Sequence, residues 1–293
     1  MQTRLVRLDS DNWEAPGFDA RWIEAVEDGK VLYFPRLAFA LSPREQALLG
    51  PALLQDGVRN ISLDASGQLK GVAGDETVQT DAKALVARFA AQATHLVNTL
   101  FPKYRDHLLA APTSLRPVGV SGRKQSWRAD DRRLHVDAFP SRPNRGERIL
   151  RVFSNINPLQ QPRVWRVGEP FEAMAQQFMP LVPEYRAWEA RLLHGLGITK
   201  SLRSEYDHIM LRLHDHLKRD ANYQKNAPQT VAEFAAGSTW VCFSDQTLHA
   251  VHGGQYMMEQ TFFMPPQHQY RPDQSPLGIL TRLAGHPLQG AAL

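Results

Sequence analysis

His135, Asp137 and His249 are the residues of this sequence best suited to chemistry. They stand in His135-Val136-Asp137 and, far downstream, in Ser244-Asp245-Gln246-Thr247-Leu248-His249-Ala250-Val251. Two imidazoles and a carboxylate can cap one face of an Fe(II) ion and leave the opposite face open for a cosubstrate and O2. The H-x-D spacing suits a strand, where residues two apart point the same way and can grip one metal. A buried aspartate also needs a cation or a metal to offset its desolvation, which argues against His135 being an ordinary core histidine. His252 competes for the third position. It lies three residues from His249, so on one strand the two face opposite ways, and His249 fits the turn-then-strand context better. His214 and His216 form an H-x-H pair that could also bind metal, although hydrogen-bonded strand-end histidines are the simpler account.

An iron with an open face works with a cosubstrate. A 2-oxo acid can chelate the metal through its carboxylate and ketone, and its far carboxylate then needs a cation. The planar fork of arginine binds a carboxylate through two hydrogen bonds. Arg151 lies in the strand-like run after the H-x-D segment. By alternation it shares a face with Ile149, Phe153 and Asn155 and is preferred to Arg148; Arg116, on the preceding run, is the second candidate.

These residues need elements to position them. Ser42-Pro43-Arg44-Glu45 combines a serine cap, proline at the first position and glutamate at the third, and predicts a helix through Leu49. Apolar residues from Leu85 to Leu100 recur at helical spacing and predict a long helix from about Asp81, interrupted at Pro102. From Pro112 onward short β-like runs alternate with polar loops: 114–120, 133–138, 148–157 and 164–168. Helical pattern returns over 169–204. Residues 209–214, 231–234, 239–243, 249–252 and 256–264 read as further strands. Seven or eight strands in this order predict a mainly β fold with flanking helices, a double-stranded β-helix or cupin-like jelly roll. The chain is expected to be one domain over 1–293, with a helix-rich N-terminal layer to about 110, a jelly-roll core over about 111–270 and a tail over 271–293.

The 293 residues, 43% of them apolar, suffice for one well-formed core. No apolar run is long enough for a transmembrane helix, and the N-terminus lacks the apolar stretch of a secretory leader. The single cysteine, Cys242, reads as a small buried residue in a reducing, cytoplasmic setting. The net charge is +4, but between Arg116 and Arg151 ten Lys/Arg face four Asp/Glu. That excess sits around the proposed metal ligands and favours an acidic ligand. Nucleic acid is not expected, because the basic residues are not interleaved with a platform of stacking aromatics.

The segments His135-Val136-Asp137, 148–158 and Leu248-His249-Ala250-Val251 resemble those of Fe(II)/2-oxoglutarate-dependent oxygenases. Together with 211–218 and Tyr223-Gln224-Lys225, they are similar more narrowly to the Kdo 3-hydroxylase group over roughly 110–265. The resemblance implies oxidative decarboxylation of 2-oxoglutarate to succinate with O2, coupled to hydroxylation at C3 of 3-deoxy-D-manno-oct-2-ulosonic acid (Kdo), the acidic sugar of lipopolysaccharide. It implies His135, Asp137 and His249 as metal ligands, Arg151 and Arg116 as partners of the 2-oxoglutarate carboxylate, and Trp165 as a further wall of that pocket. Many oxygenases of this superfamily carry an arginine ten or more residues after the distal histidine. Here Gln255-Tyr256-Met257-Met258-Glu259-Gln260-Thr261 holds no basic residue, so the cation must come from another strand.

Charge and position suggest Arg123, Lys124, Arg128, Arg142 and Arg145 for the sugar carboxylate or lipid phosphates, and His216 for the acidic substrate. A lipid-linked sugar such as Kdo-lipid A would put the enzyme on the cytoplasmic face of the inner membrane, held there by anionic lipid, although no lipidation motif or strong amphipathic anchor is evident. Two rival expectations remain. One is a 2-oxoglutarate hydroxylase of another acidic small molecule or a protein side chain. The other is a non-catalytic jelly roll that binds an anionic sugar.

Overall fold

A computed structural model describes residues 3–14, 17–119 and 125–290. Arg123 and Lys124 lie outside the described residues. In chain order the elements begin with β1 (Leu5–Arg7), α1 (Ala20–Glu27), β2 (Val31–Phe34), α2 (Pro43–Leu48), β3 (Ile61–Leu63), β4 (Leu69–Lys70) and α3 (Glu76–Leu100). Then come β5 (Leu109–Ala110), β6 (Thr113–Arg116), β7 (Arg148–Asn155), β8 (Arg163–Gly168), α4 (Phe171–Phe178) and α5 (Ala187–Gly195). The last third holds α6 (Glu205–Arg219), α7 (Ala221–Asn226), β9 (Gln229–Phe234), β10 (Thr239–Phe243), β11 (His249–Gly253), β12 (Met257–Met264) and α8 (Pro276–Ala284).

Two sheets face one another as an open jelly roll. The larger runs β1-β2-β10-β7-β12-β6-β3-β4, with β5 also on β12, and the smaller runs β11-β8-β9. Residues 1–110 therefore supply five short strands to the large sheet as well as helices. All its pairings are antiparallel except that of β1 with β2.

Register decides which side chains look inward. Arg151 lies opposite Cys242 on β10 and Thr261 on β12, and Phe153 lies opposite Trp240 and Glu259. Across an antiparallel pair opposite residues share a face, so Ile149, Arg151, Phe153, Cys242, Trp240, Glu259 and Thr261 all line the inner side. The apolar part of that interior packs Phe153 and Trp240 against Trp165, Phe234 and Val251 of the small sheet. On the outer side Leu150, Val152, Val241, Phe243, Met258 and Phe262 pack on the buried stripe of α3, which includes Leu85, Val86, Phe89, Leu96 and Val97. Each such fully buried side chain contributes on the order of 2 kcal/mol. The large sheet can thus keep charged groups on one face while its other face builds the core.

Three expectations are corrected. The long helix begins five residues before Asp81, because the Asp75 side chain accepts from Val78 N–H and caps a polar first turn. The run 133–138 is not a ladder strand: it is an extended segment with one isolated bridge, His135 to His249. The run 209–214 is not a strand but part of α6. A reciprocal Ser204–Asp207 capping box starts that helix, and its buried Tyr206, Ile209, Met210, Leu213 and Leu217 follow helical spacing.

Candidate metal centre

His135 and His249 exchange both backbone hydrogen bonds, at 3.0 and 2.9 Å. Such directly opposed residues present their side chains on one face, and their rings lie 4.6 Å apart between centroids. Asp137 follows two residues on. Its N–H bonds Ser244 O at 2.9 Å, and one carboxylate oxygen stands 3.8 Å from His135 Nε2. Ligand atoms of His135, Asp137 and His249 all fall within 4.8 Å of one another, and no other such group occurs among the described residues.

Both rings are oriented so that Nε2 is the nitrogen left for a metal. His135 Nδ1 lies 2.7 Å from Arg133 O, and His249 Nδ1 lies 2.8 Å from Thr247 O. A carbonyl only accepts, so each Nδ1 carries the hydrogen and each neutral ring keeps its Nε2 lone pair for a ligand. Burial pushes both imidazoles below the ordinary histidine range, and for His135 the neighbouring His249 and Lys218 add to it. Burial works against the Asp137 carboxylate, yet the Arg151 guanidinium above all outweighs it and holds the acid well below its usual range. Two neutral imidazoles and one ionised carboxylate are the donor set that a divalent ion such as Fe(II) takes. Asp137 Oδ2 is buried and makes no aligned hydrogen bond, although Arg151 Nη2 stands 3.1 Å from it.

His249 is positioned from two sides. The turn before it is fixed by Asp245, whose carboxylate receives Arg148 Nε at 2.7 Å and the N–H of Ile149 at 3.2 Å. Arg148 also donates to Gln246 Oε1 at 2.6 Å and lies over the Phe243 ring. Arg148 is thus tied to structure, which leaves Arg151 as the inward cation of β7, as alternation suggests. Gly168 lets the small sheet approach: a Cβ there would lie 2.9 Å from Leu248 Cβ. Trp165 stacks on the His249 ring at 5.1 Å and walls the site.

Arg151 and Arg116 meet through an acid that sequence reading passed over. Glu259, on β12, lies 2.8 Å from Arg116 Nη2 and 3.6 Å from Arg151 Nη1. Arg151 also reaches Asp137 at 3.1 Å. Burial opposes the Glu259 charge, but the two guanidiniums hold its carboxyl below the usual glutamate range. Its signal in the sequence was a lone acid inside the apolar run 257–264, which must find a cation.

On the His135 side, α6 presents His214, whose ring meets that of His135 edge-on at 5.7 Å. Buried Lys218 donates to Arg128 O at 2.8 Å. Residues two apart on a helix are about 200° apart around it, so His216 faces away from the side on which His214 meets the site. The H-x-H pair therefore lies on a helix rather than at a strand end, and its two rings do not face one ion.

A cavity of about 670 Å³ opens beside Arg151, lined also by Phe139, Pro140, Arg142, Glu147, Thr261 and Phe263. The metal-ligand candidates do not line it; Arg151 is the residue common to both. Of the basic residues suggested for substrate, Arg142 lines this cavity. Arg128 instead pairs with Asp215 at 3.1 Å, and Arg145 is exposed, its N–H bonded to Asp207. His252 is exposed, away from the ligand group.

A family model for 3-deoxy-D-manno-oct-2-ulosonic acid (Kdo) hydroxylase matches residues 10–287. The cobalt(II) complex of the Kdo hydroxylase KdoO, a non-heme Fe(II) α-ketoglutarate-dependent dioxygenase, is 44% identical, with a TM-score of 0.94 over 99% of each chain. The KdoO complex with α-ketoglutarate and Fe(III) gives 44% identity and 0.93 over 100% of this chain and 99% of that one. The complex with succinate and Fe(III) gives the same identity and TM-score over 99% of each chain. No curated protein matches the chain significantly. On a family match that spans nearly its whole length, and on structures almost half identical to it, the chain belongs to the Kdo hydroxylase family.

Proposed function

We propose that this protein is an Fe(II)- and 2-oxoglutarate-dependent dioxygenase that hydroxylates C3 of the Kdo sugar of lipopolysaccharide, with succinate and CO2 as co-products. The observation that carries this reading is the convergence of His135, Asp137 and His249, with both imidazoles locked to offer Nε2. Ferrous iron in this site supplies the activation of O2 and the oxidation of a C–H bond. The chain supplies position and charge. His135 and His249 bind through rings oriented by backbone carbonyls, and Asp137 binds as an anion kept ionised by Arg151. Arg151 and Arg116 receive the far carboxylate of 2-oxoglutarate, in competition with Glu259, and Trp165 closes the side of the pocket behind His249. The cavity beside Arg151 admits the acidic sugar, with Arg142 on its rim.

No described helix is long and apolar enough to cross a membrane. A Kdo unit carried on lipid A brings the enzyme to the anionic face of the inner membrane, and nucleic acid is not expected as a partner. The test is succinate release that needs Fe(II), 2-oxoglutarate and a Kdo acceptor together, with mass spectrometry of the acceptor. A gain of one oxygen on the sugar supports the reading. Succinate release with no oxygen on Kdo would keep the dioxygenase and remove the substrate, and no release under any condition would leave only a binding module.

A further inference from the structure

Helix α5 is turned outward. Its buried residue is Ala190, whereas Trp188, Leu192, Leu196 and, just beyond it, Ile198 are each 53–64% exposed. Trp188, Leu192 and Leu196 follow at i, i+4 and i+8 and therefore form one stripe along the helix and its cap. Leu202 continues the exposed apolar series in the chain. Isolated exposed apolar residues are ordinary, but a stripe led by Trp and Leu marks a surface that meets something apolar.

The setting of the stripe narrows what that is. Arg186, Arg191 and Lys200 are exposed around it, against exposed Glu184 and half-buried Glu189, which pairs with Arg186 at 3.5 Å. The segment after α5 is also fastened to the rim of the cavity beside Arg151. Lys200 N–H donates to Ser141 O at 2.9 Å, and Arg203 Nη2 donates to Pro140 O at 2.9 Å. Pro140 and Ser141 line that cavity. The segment that follows the apolar stripe and carries Lys200 is thus attached to residues that line the cavity.

We infer that α5 and residues 196–202 form the docking surface by which this enzyme lies on an anionic lipid bilayer, with the cavity rim beside the headgroups. The inference rests on the reading of the substrate as a lipid-linked acidic sugar. Trp and Leu enter the headgroup–acyl boundary, and Arg191 and Lys200 stay at the anionic headgroups. A second copy of the chain fits less well, since a symmetric contact through this face would bring the same cations together.

The test is flotation of the full-length protein with vesicles of phosphatidylglycerol and phosphatidylethanolamine at low salt. The comparison is a Trp188→Ser, Leu192→Ser, Leu196→Ser triple variant, with thermal unfolding as the control for folding. Because these side chains are already exposed, the variant should unfold at the wild-type temperature. Vesicle binding should fall about tenfold or more, and Arg191→Glu with Lys200→Glu should weaken binding to anionic vesicles but not to neutral ones. Equal flotation of wild type and triple variant overturns the inference, as does failure of the wild type to float. So does a wild-type dimer that the triple variant converts to monomer without any change in flotation.

Activity separates this from the proposed function. Succinate release with a short water-soluble Kdo glycoside should be unchanged in the triple variant, and release with vesicle-embedded lipid-linked Kdo should fall. Should neither protein release succinate with any Kdo acceptor, the substrate reading fails while flotation still decides the docking surface.

Discussion

Glu259→Gln is the most informative single change, because it removes one charge and almost no volume. Glu259 stands between Arg116 at 2.8 Å and Arg151 at 3.6 Å. The Glu259 side chain is 7% exposed and that of Arg151 14%, while Arg116 is 41% exposed and its share is weakened by solvent. Removing one partner of a buried pair costs about 3–5 kcal/mol. Arg151 keeps Asp137 at 3.1 Å, and Gln still accepts a hydrogen bond, so the lower figure applies. At roughly 2 °C per kcal/mol for a chain of this size, the variant should melt about 6 °C below wild type. A carboxylate delivered by 2-oxoglutarate would restore the missing charge. If half of the loss returns on binding, 2-oxoglutarate should bind the Co(II)-loaded variant about tenfold more tightly than wild type. Calorimetric titration measures this directly. A variant that is destabilised but binds 2-oxoglutarate no better, or worse, would refute the assignment of Arg151 and Arg116 as the cosubstrate clamp.

Further outcomes test other parts of the structure. Co(II) at one hundred times its dissociation constant should stabilise wild type by about 2.7 kcal/mol, read as a rise in Tm. His135→Ala and His249→Ala should each abolish that rise and the succinate release; a retained rise in either would remove that residue from the ligand set. Asp245→Ala should cost about 3–5 kcal/mol in chemical denaturation by stranding buried Arg148, and should weaken metal binding by loosening the turn before His249. Glu45→Ala should cost about 1 kcal/mol by removing half of the capping box of α2. Partial burial opposes the Glu45 charge, but the Ser42 N–H and Arg88 outweigh it and lower its pKa. The contribution should therefore be complete above the ordinary glutamate value of about 4.3 and disappear as pH falls through the lower folded value. A wild-type-minus-variant stability difference that grows on acidification would contradict it.

The parts of the site legible in the sequence were those encoded locally. The H-x-D spacing presents its two side chains together in any extended segment, and alternation along 148–155 separates inward Arg151 from Arg148. What depended on cross-strand register was not legible. Nothing in the linear order tells that Glu259 falls opposite Phe153, beside both arginines, or that Asp245 captures Arg148 ninety-seven residues away. Residues 209–214 were misread for a different reason. Ile209, Leu211 and Leu213 alternate as a strand does, while Ile209, Met210 and Leu213 also suit a helix, and the deciding information was the Ser204–Asp207 cap upstream. The strand reading set His214 beside His216 as a pair, whereas the helix turns the two apart and puts Lys218 on the His214 side.

The parallel pairing of β1 on β2 and the antiparallel pairing of β2 on β10 have a practical consequence. A chain shortened to begin after Phe34 would strip β10 of its neighbour and leave Thr239 to Val241 with unsatisfied backbone donors and acceptors. Two such molecules could join through those strands, so trimming the N-terminus should yield self-associating protein and inclusion bodies even though every residue of the candidate metal centre remains.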